Sequence, residues 1–317
     1  MKQQLKVAVL MGGKSAEREV SLATGRQIAS ALDKDKYAAT TIDVDDLPHL
    51  AITPSEDRPD IVFIALHGPG GEDGSVQGFL ETIGIPYTGS GVLASALAMD
   101  KVRTKYLLST ESIQTPHGMV YEKRDAAPRR RAGSEVTRNL GLPVIVKPSR
   151  QGSTYGCTVV RDETEVTPAL TEAFRYDTTA LVEQRIVGIE ITVAALGNDD
   201  PFALPVIEIV SKDGFFDYVA KYSSGESGAV EIVPARISEE HTKEAQAIAL
   251  RCHRLLGCRG MSRTDMFVTE DDEIITLEVN TIPGMTPTSL LPKAAAAAGI
   301  EFPELLDKLI EYALEKP

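Results

Sequence analysis

Apolar and polar positions alternate along this chain in more than one rhythm. In the first hundred residues, short apolar runs are separated by stretches with apolar residues at helical spacing. Leu5 to Leu10 is a β-rich run ending at Gly12-Gly13. Ser15 can cap the next helix, in which Val20, Ala23, Ile28 and Ala31 keep helical spacing. Thr40 to Val44 and Ile61 to Leu66 read as further strands. The second is apolar without alternation, as a strand covered on both faces would be. Strands alternating with helices predict an α/β unit with a parallel sheet. Ligands of such sheets sit at the carboxyl ends of strands, and Gly12-Gly13 and His67-Gly68 lie at two such ends.

The rhythm then changes. Met99 to Thr110 reads as a helix and Val144 to Lys147 as a strand. A polar, glycine-bearing stretch follows, Ser149 to Gly156, then a strand at Cys157 to Val160, a helix at Glu163 to Phe174 and a strand at Ala180 to Gln184. The last part is richer in strands: Ile189 to Leu196, Val206 to Val210, Met261 to Val268 and Ile274 to Val279. A long helix, Glu239 to Leu256, interrupts them. Two terminal helices follow, Leu291 to Ala298, stopped by Gly299, and Pro303 to Leu314. The fold class is therefore α/β, becoming α+β in the C-terminal half. At 317 residues the chain has room for two or three domains.

Charge narrows the partners. With 46 acidic and 33 basic residues the net charge is -13, so the surface repels nucleic acid and anionic lipid. A phosphate ligand must then find a local basic pocket. Arg129 to Arg131 in the polar stretch Lys123 to Ser134 reads as a solvated face. No apolar run approaches the roughly 18–20 residues of a membrane span. The apolar run Val7 to Met11 reads as a buried strand rather than a secretory signal. Three cysteines without a C-x-x-C pattern fit a reducing cytoplasm better than a disulfide framework or zinc site.

Four constellations carry candidate chemistry. Lys147-Pro-Ser-Arg-Gln-Gly-Ser-Thr-Tyr-Gly156 places a lysine at a strand end before a glycine-bearing turn. Such a turn can aim backbone N–H groups at phosphate oxygens, with the lysine as a point charge. The same pattern also suits a plain hairpin. Arg263, Asp265, Glu278 and Asn280 form the second group. Residues i and i+2 of a strand face one way, so Glu278 and Asn280 project together, as do Arg263 and Asp265. A turn at Thr269 to Glu273 can bring the two pairs close. Three oxygen-bearing side chains on one face suit a hard cation such as Mg²⁺ completed by phosphates, though an exposed polar hairpin face would read alike. The third is Asn280 to Leu290, where Ser289 and Leu290 open a helix whose free N–H groups could bind a carboxylate. The fourth, Lys221 to Gly228, is a small-residue loop that could form a lid or be an ordinary surface loop. His67 with Glu72 and Asp73 reads as supporting packing rather than a metal site.

Together these segments resemble the D-alanine–D-alanine ligases of the ATP-grasp family, across essentially the whole chain. The resemblance rests on ordered motifs: S-A-E-R-E-V-S-L at Ser15 to Leu22, L-H-G-x-G-G-E-D-G at Leu66 to Gly74 and Y-T-G-S-G at Tyr87 to Gly91. Further on come M-D-K at Met99 to Lys101, V-K-P-S-R at Val146 to Arg150, K-Y at Lys221 to Tyr222 and E-V-N-T-I-P-G-M-T at Glu278 to Thr286. It implies an N-terminal parallel-sheet α/β domain (1–98) followed by a two-lobed ATP-grasp fold, with a central lobe (99–184) and a C-terminal lobe (185–317). It also implies residue roles. Lys101, Lys147, Lys221 and Ser153 would meet ATP, Glu183, Gln184 and Ile186 the adenine, and Glu190 the ribose. Asp265, Glu278 and Asn280 would hold two Mg²⁺ ions, for which Mn²⁺ can substitute. Glu17 would take the ammonium of the first D-alanine, with His67 near it. Ser153 and Tyr222 would join Glu17 in tying the loops over the substrates. Arg263 and the Gly284 backbone would stabilise an oxyanion, and Ser289 and Leu290 would receive the second D-alanine.

The activity implied is ATP-dependent joining of two D-alanines through a D-alanyl phosphate, for peptidoglycan precursors, by a cytoplasmic homodimer. Tyr222 favours the amide product, since relatives making the ester replace that tyrosine. Some positions depart from the family pattern: the phosphate loop, commonly E-G-S-S-V-G, here reads Q-G-S-T-Y-G with Gln151 and Tyr155, and Thr264 stands where a more apolar residue is usual. The segment Val120 to Arg138 matches the family poorly and receives no assignment.

Overall fold

The computed structural model describes residues 4–152, 154–210 and 230–315. Its strands form three sheets. The first is parallel, in the order β2-β1-β3, from β1 (Leu5–Met11), β2 (Tyr37–Asp43) and β3 (Ile61–Ile64). All four β3 residues are buried, as the unbroken apolar run requires. Helix α1 (Arg18–Ala31) packs on β1, and Gly25 permits it: a Cβ there would lie 2.6 Å from Met11. Three helices follow this sheet before the next, of which the first two are α2 (Ser75–Ile83) and α3 (Val92–Met99).

The second sheet is antiparallel, in the order β4-β7-β5-β6, built from β4 (Gly118–Glu122), β5 (Val144–Pro148), β6 (Thr158–Val160) and β7 (Thr179–Gln184). The stretch left without assignment around 120–138 turns out to hold β4 and a helix, α5 (Ala126–Leu140). Ala132 and Val136, one turn apart, anchor that helix in the core under this sheet. Helix α6 (Val166–Ala173) packs beside it. The helix α4 (Lys101–Thr110), which begins where the Asp100 carboxylate accepts the Arg103 N–H, packs on the third sheet's layer instead.

The third sheet has six strands among the described residues. Its path is β11-β10-β8-β12-β13, with β9 beside β8. The strands are β8 (Gly188–Gly197), β9 (Phe202–Ala203), β10 (Ile207–Val210), β11 (Val230–Ile232), β12 (Gly260–Thr269) and β13 (Ile274–Asn280). Helix α7 (Glu239–Leu256) crosses it with the bounds read from sequence. Ser238 accepts the His241 N–H at its start, acidic residues fill its first turn, and Gly257 at φ 72° ends it. The last helices, α8 (Leu290–Ala297) and α9 (Phe302–Leu314), turn back onto the parallel sheet. Leu291, Leu305 and Leu309 share one core with Val9, Phe63 and Ile64. That return brings the Asn280 to Leu290 segment against the ends of β1 and β3.

Candidate active site

Strands β12 and β13 pair with Asp265 opposite Glu278 and Arg263 opposite Asn280. The period-two reading of both strands therefore places all four side chains on one face. Arg263 grips Asp265 through two bonds, Nε to Oδ1 and Nη2 to Oδ2, both 2.8 Å. Thr192 donates to Oδ1 at 2.6 Å and Asn280 Nδ2 to Oδ2 at 3.1 Å. Glu278 lies 3.3 Å from the ammonium of Lys101, whose Nζ also donates to the Gln151 carbonyl at 2.8 Å. Two carboxylates and an amide are thus within cross-strand reach, each carboxylate facing a cation. Hard oxygen donors in this arrangement fit a divalent ion. Among the described residues no group of three His, Cys, Asp or Glu side chains makes a metal cage alone, so phosphate or water oxygens must complete any such shell.

Beside this pair lies a pocket lined by Lys101, Lys147, Glu183, Gln184, Ile186, Glu190, Asp265 and Glu278, the last two forming one wall. Lys147 ends β5, where the polar turn leaves the sheet, and its Nζ is 2.5 Å from Glu183 Oε2. Burial opposes the charge on Lys147, but Glu183 and Glu278 outweigh it and raise its pKa. Glu183 is nearly sealed from solvent. Burial works against its charge too, yet Lys147 and Lys105 hold its carboxyl below the usual range. Lys105 is in ion-pair contact with the other Glu183 oxygen.

A second pocket adjoins the first through Glu278. It gathers Glu17, His67, Arg263, Asn280, Gly284, Ser289 and Leu290. Glu17, buried, precedes α1 and lies against the glycines of two loops: a Cβ on Gly68 would come within 2.4 Å of its Oε2, and one on Gly152 within 3.0 Å. His67 is buried and bonded to Thr24 at 3.1 Å. Burial pushes its pKa down to about 4 despite the Ile282 carbonyl, so the ring is neutral at working pH. Ser289 sits at the N-cap of α8, but its hydroxyl serves the preceding loop, accepting the Thr286 N–H at 3.0 Å. That leaves the first N–H groups of α8 to a ligand or water.

The sequence reads Glu72 only as supporting packing beside His67, and does not single out Lys105, whose ammonium meets Glu183 of the first pocket. Glu72 lines the second pocket and accepts the Gly68 N–H at 2.7 Å. Burial and the neighbouring Glu17 raise its pKa to about 8. Lys105 lies one helical turn after Lys101, a spacing visible in the sequence, but its partner Glu183 comes from another sheet. Ser153, Lys221 and Tyr222 lie outside the described residues.

Such a cleft can bind a polyanion at one end, between lysines and paired carboxylates, and a small zwitterion at the other. Comparisons with known proteins agree in kind. The family model for the D-ala D-ala ligase C-terminus matches residues 107–311, and that for the N-terminus matches residues 6–49 and 47–90. A D-alanine–D-alanine ligase of Pelotomaculum thermopropionicum is 50% identical over 315 residues, covering 98% of this chain and 97% of the relative. A Bacillus anthracis D-alanine–D-alanine ligase complexed with ATP is similar in structure, with TM-score 0.81 at 36% identity, covering 98% of this chain and 97% of that one. A D-Ala:D-Ser ligase from Enterococcus faecalis is similar too, with TM-score 0.84 at 34% identity, covering 98% and 100%.

Proposed function

The chain belongs to the D-alanine–D-alanine ligase family, and from that premise we propose how its cleft joins two D-alanines at the expense of ATP. The product is D-alanyl-D-alanine for peptidoglycan precursors. The observation that carries the reading is Glu278: it lines both pockets and stands opposite Asp265, where the proposed nucleotide end meets the proposed amino-acid end.

In this reading Lys101 and Lys147 meet the ATP phosphates, and Glu183, Gln184, Ile186 and Glu190 line the nucleoside. Asp265, Glu278 and Asn280 would hold two Mg²⁺ ions, and such ions would supply positive charge against that of the phosphates. Glu17 takes the ammonium of the first D-alanine beside neutral His67, whose lack of charge avoids repelling it. Its carboxylate attacks the γ-phosphate, giving an acyl phosphate and ADP. The second D-alanine, its carboxylate on the N–H groups at Ser289 and Leu290, attacks the acyl carbon through its amine once the ammonium has given up a proton. Arg263 and the Gly284 N–H stabilise the resulting oxyanion, which collapses with loss of phosphate. Water would destroy the acyl phosphate, so the reading requires that the cleft exclude water during the reaction. The need for ATP and three cysteines that form no disulfide support a cytoplasmic site. The working form is proposed to be a homodimer, which light scattering would test.

The test mixes protein, ATP, Mg²⁺ and D-alanine and looks for the dipeptide by mass spectrometry. D-alanine should give it and L-alanine should not; ADP release without dipeptide would defeat the reading. The similarity to a D-Ala:D-Ser ligase favours one second reading, with D-serine as the acceptor. Equal competition of D-alanine against D-serine and D-lactate decides it. If Tyr222 selects the amine, Tyr222→Phe gains D-lactate use.

A further inference from the structure

Glu183 is buried between two lysines with different prospects. Lys147 ends β5 beside the phosphate-loop turn and faces Glu278 as well. Lys105 projects from α4 with its side chain only 11% exposed, and Glu183 is its one ion-pair partner among the described residues. Once a nucleotide enters, its phosphates compete for Lys147, and Glu183 would then be left with Lys105. A carboxylate this buried takes up a proton unless a cation stays beside it. Its protonation state decides which base it can hold. An ionised carboxylate accepts the 6-amino hydrogens of adenine; a protonated one can donate to the 6-oxo group of a hypoxanthine or guanine base.

We infer that Lys105 is a positioning residue for base recognition: it keeps Glu183 ionised while Lys147 serves the phosphates, and so selects a 6-amino purine nucleotide over a 6-oxo one. This rests on the reading of Glu183 as an adenine-site residue. The groups facing Lys105 are Glu183 from β7, Lys147 from β5 and, farther off, Glu278 from β13. Burial pushes Lys105 down to about 8, with Lys147 adding to the fall and the carboxylates opposing it.

The test compares ATP with inosine triphosphate, both by calorimetric binding in the absence of D-alanine and by turnover. Lys105→Met should raise the Kd and KM for ATP about tenfold, leave kcat within about twofold, and narrow the preference for ATP at least fivefold. In the unaltered protein kcat/KM for ATP should fall as pH rises past about 8; Lys105→Arg should hold it level. An unchanged nucleotide preference in Lys105→Met, or kcat and binding lost together with both nucleotides, would overturn the inference. Glu183→Gln separates the two levels. If it too leaves the nucleotide preference untouched, the adenine-site reading has failed; if it narrows the preference and Lys105→Met does not, only the role of Lys105 has failed.

Discussion

The carboxylates of Asp265 and Glu278 each meet a cation, Arg263 and Lys101, whereas Glu72 meets another carboxylate, Glu17. Among the described residues no ion pair involves Glu72. In that same cleft Glu72 is driven up to about 8 by burial and by Glu17, and neutral His67 beside it is driven down to about 4 by burial. On the proposed function, the difference reflects what each end receives. Metal ions and phosphates arrive as opposite charges in number, so the site for them can be neutral in advance. An amino acid brings an ammonium, and an excess of carboxylate is what such a guest neutralises.

The strongest way to break this contrast is to unbalance the neutral end. Arg263→Ala removes the guanidinium proposed to meet the oxyanion and leaves Asp265, among the described residues, with the bonds from Thr192 and Asn280. Losing one such donor costs about 3–4 kcal/mol of barrier, so kcat should drop by roughly two to three orders of magnitude. Single-turnover measurements would show it. An Arg263→Ala enzyme with near-normal kcat would mean that the arginine only neutralises Asp265.

The acidic end is probed by Glu72→Gln. Between pH 4.5, the ordinary value for this carboxyl, and about 8, the folded protein holds a proton that the unfolded chain has released. The contribution of Glu72 to stability is therefore present below pH 4.5 and is lost as pH rises through about 8. Melting temperatures of the free protein should show this decline, and the Glu72→Gln protein should lack it. Substrate binding follows the same switch. As pH rises past 8, ionised Glu72 attracts the ammonium, so the KM for the first D-alanine should fall by up to about tenfold, a change of ~1.4 kcal/mol. A Glu72→Gln enzyme with the same pH profile as the parent would show that Glu72 does not sense the substrate.

Two glycines sharpen the comparison further, because both hold positive φ but only one touches Glu17. Gly68 has φ 74° and its added Cβ would strike Glu17; Gly70 has φ 89° and open space around it. Gly70→Ala should cost only backbone strain, about 1–2 kcal/mol. Gly68→Ala should carry that cost and also displace Glu17, raising the KM for the first D-alanine several-fold. Equal KM values for the two variants would show that the Glu17 position is not set by this contact.

The neutral end was the more legible in sequence. Arg263, Asp265, Glu278 and Asn280 follow the two-residue period of strands, and a short turn supplies the rest. Helix α7 was legible for a similar reason, with caps and dipole-matched charges at both ends. Glu72 was harder because its meaning depends on Glu17, 55 residues earlier in the chain. Lys105 reads as one more polar position on a helix until β7 brings Glu183 to it. Helix α5 hid for another cause: Ala132 and Val136 are a thin apolar signal among arginines. All three were fixed by tertiary contacts that no local period announces.

The smallest effect expected concerns how the two ends are joined. Tyr155, which departs from the family pattern, donates its hydroxyl to the Ala16 carbonyl at 3.3 Å, next to Glu17, and its ring leans on Tyr176 with centroids 6.4 Å apart. The phosphate-side turn is thereby tied to the loop that carries the ammonium-binding carboxylate. A long, exposed hydrogen bond and a tilted ring contact each contribute at the low end of about 0.5–1.5 kcal/mol. Tyr155→Val should thus raise the KM for ATP and for D-alanine together, by less than about fivefold, with kcat nearly unchanged. Tyr155→Phe keeps the ring and loses only the hydroxyl, so it should show part of the same rise. If Tyr155→Val shifts the KM for ATP alone, the turn serves the phosphates without reaching across, and the two ends of the cleft close independently.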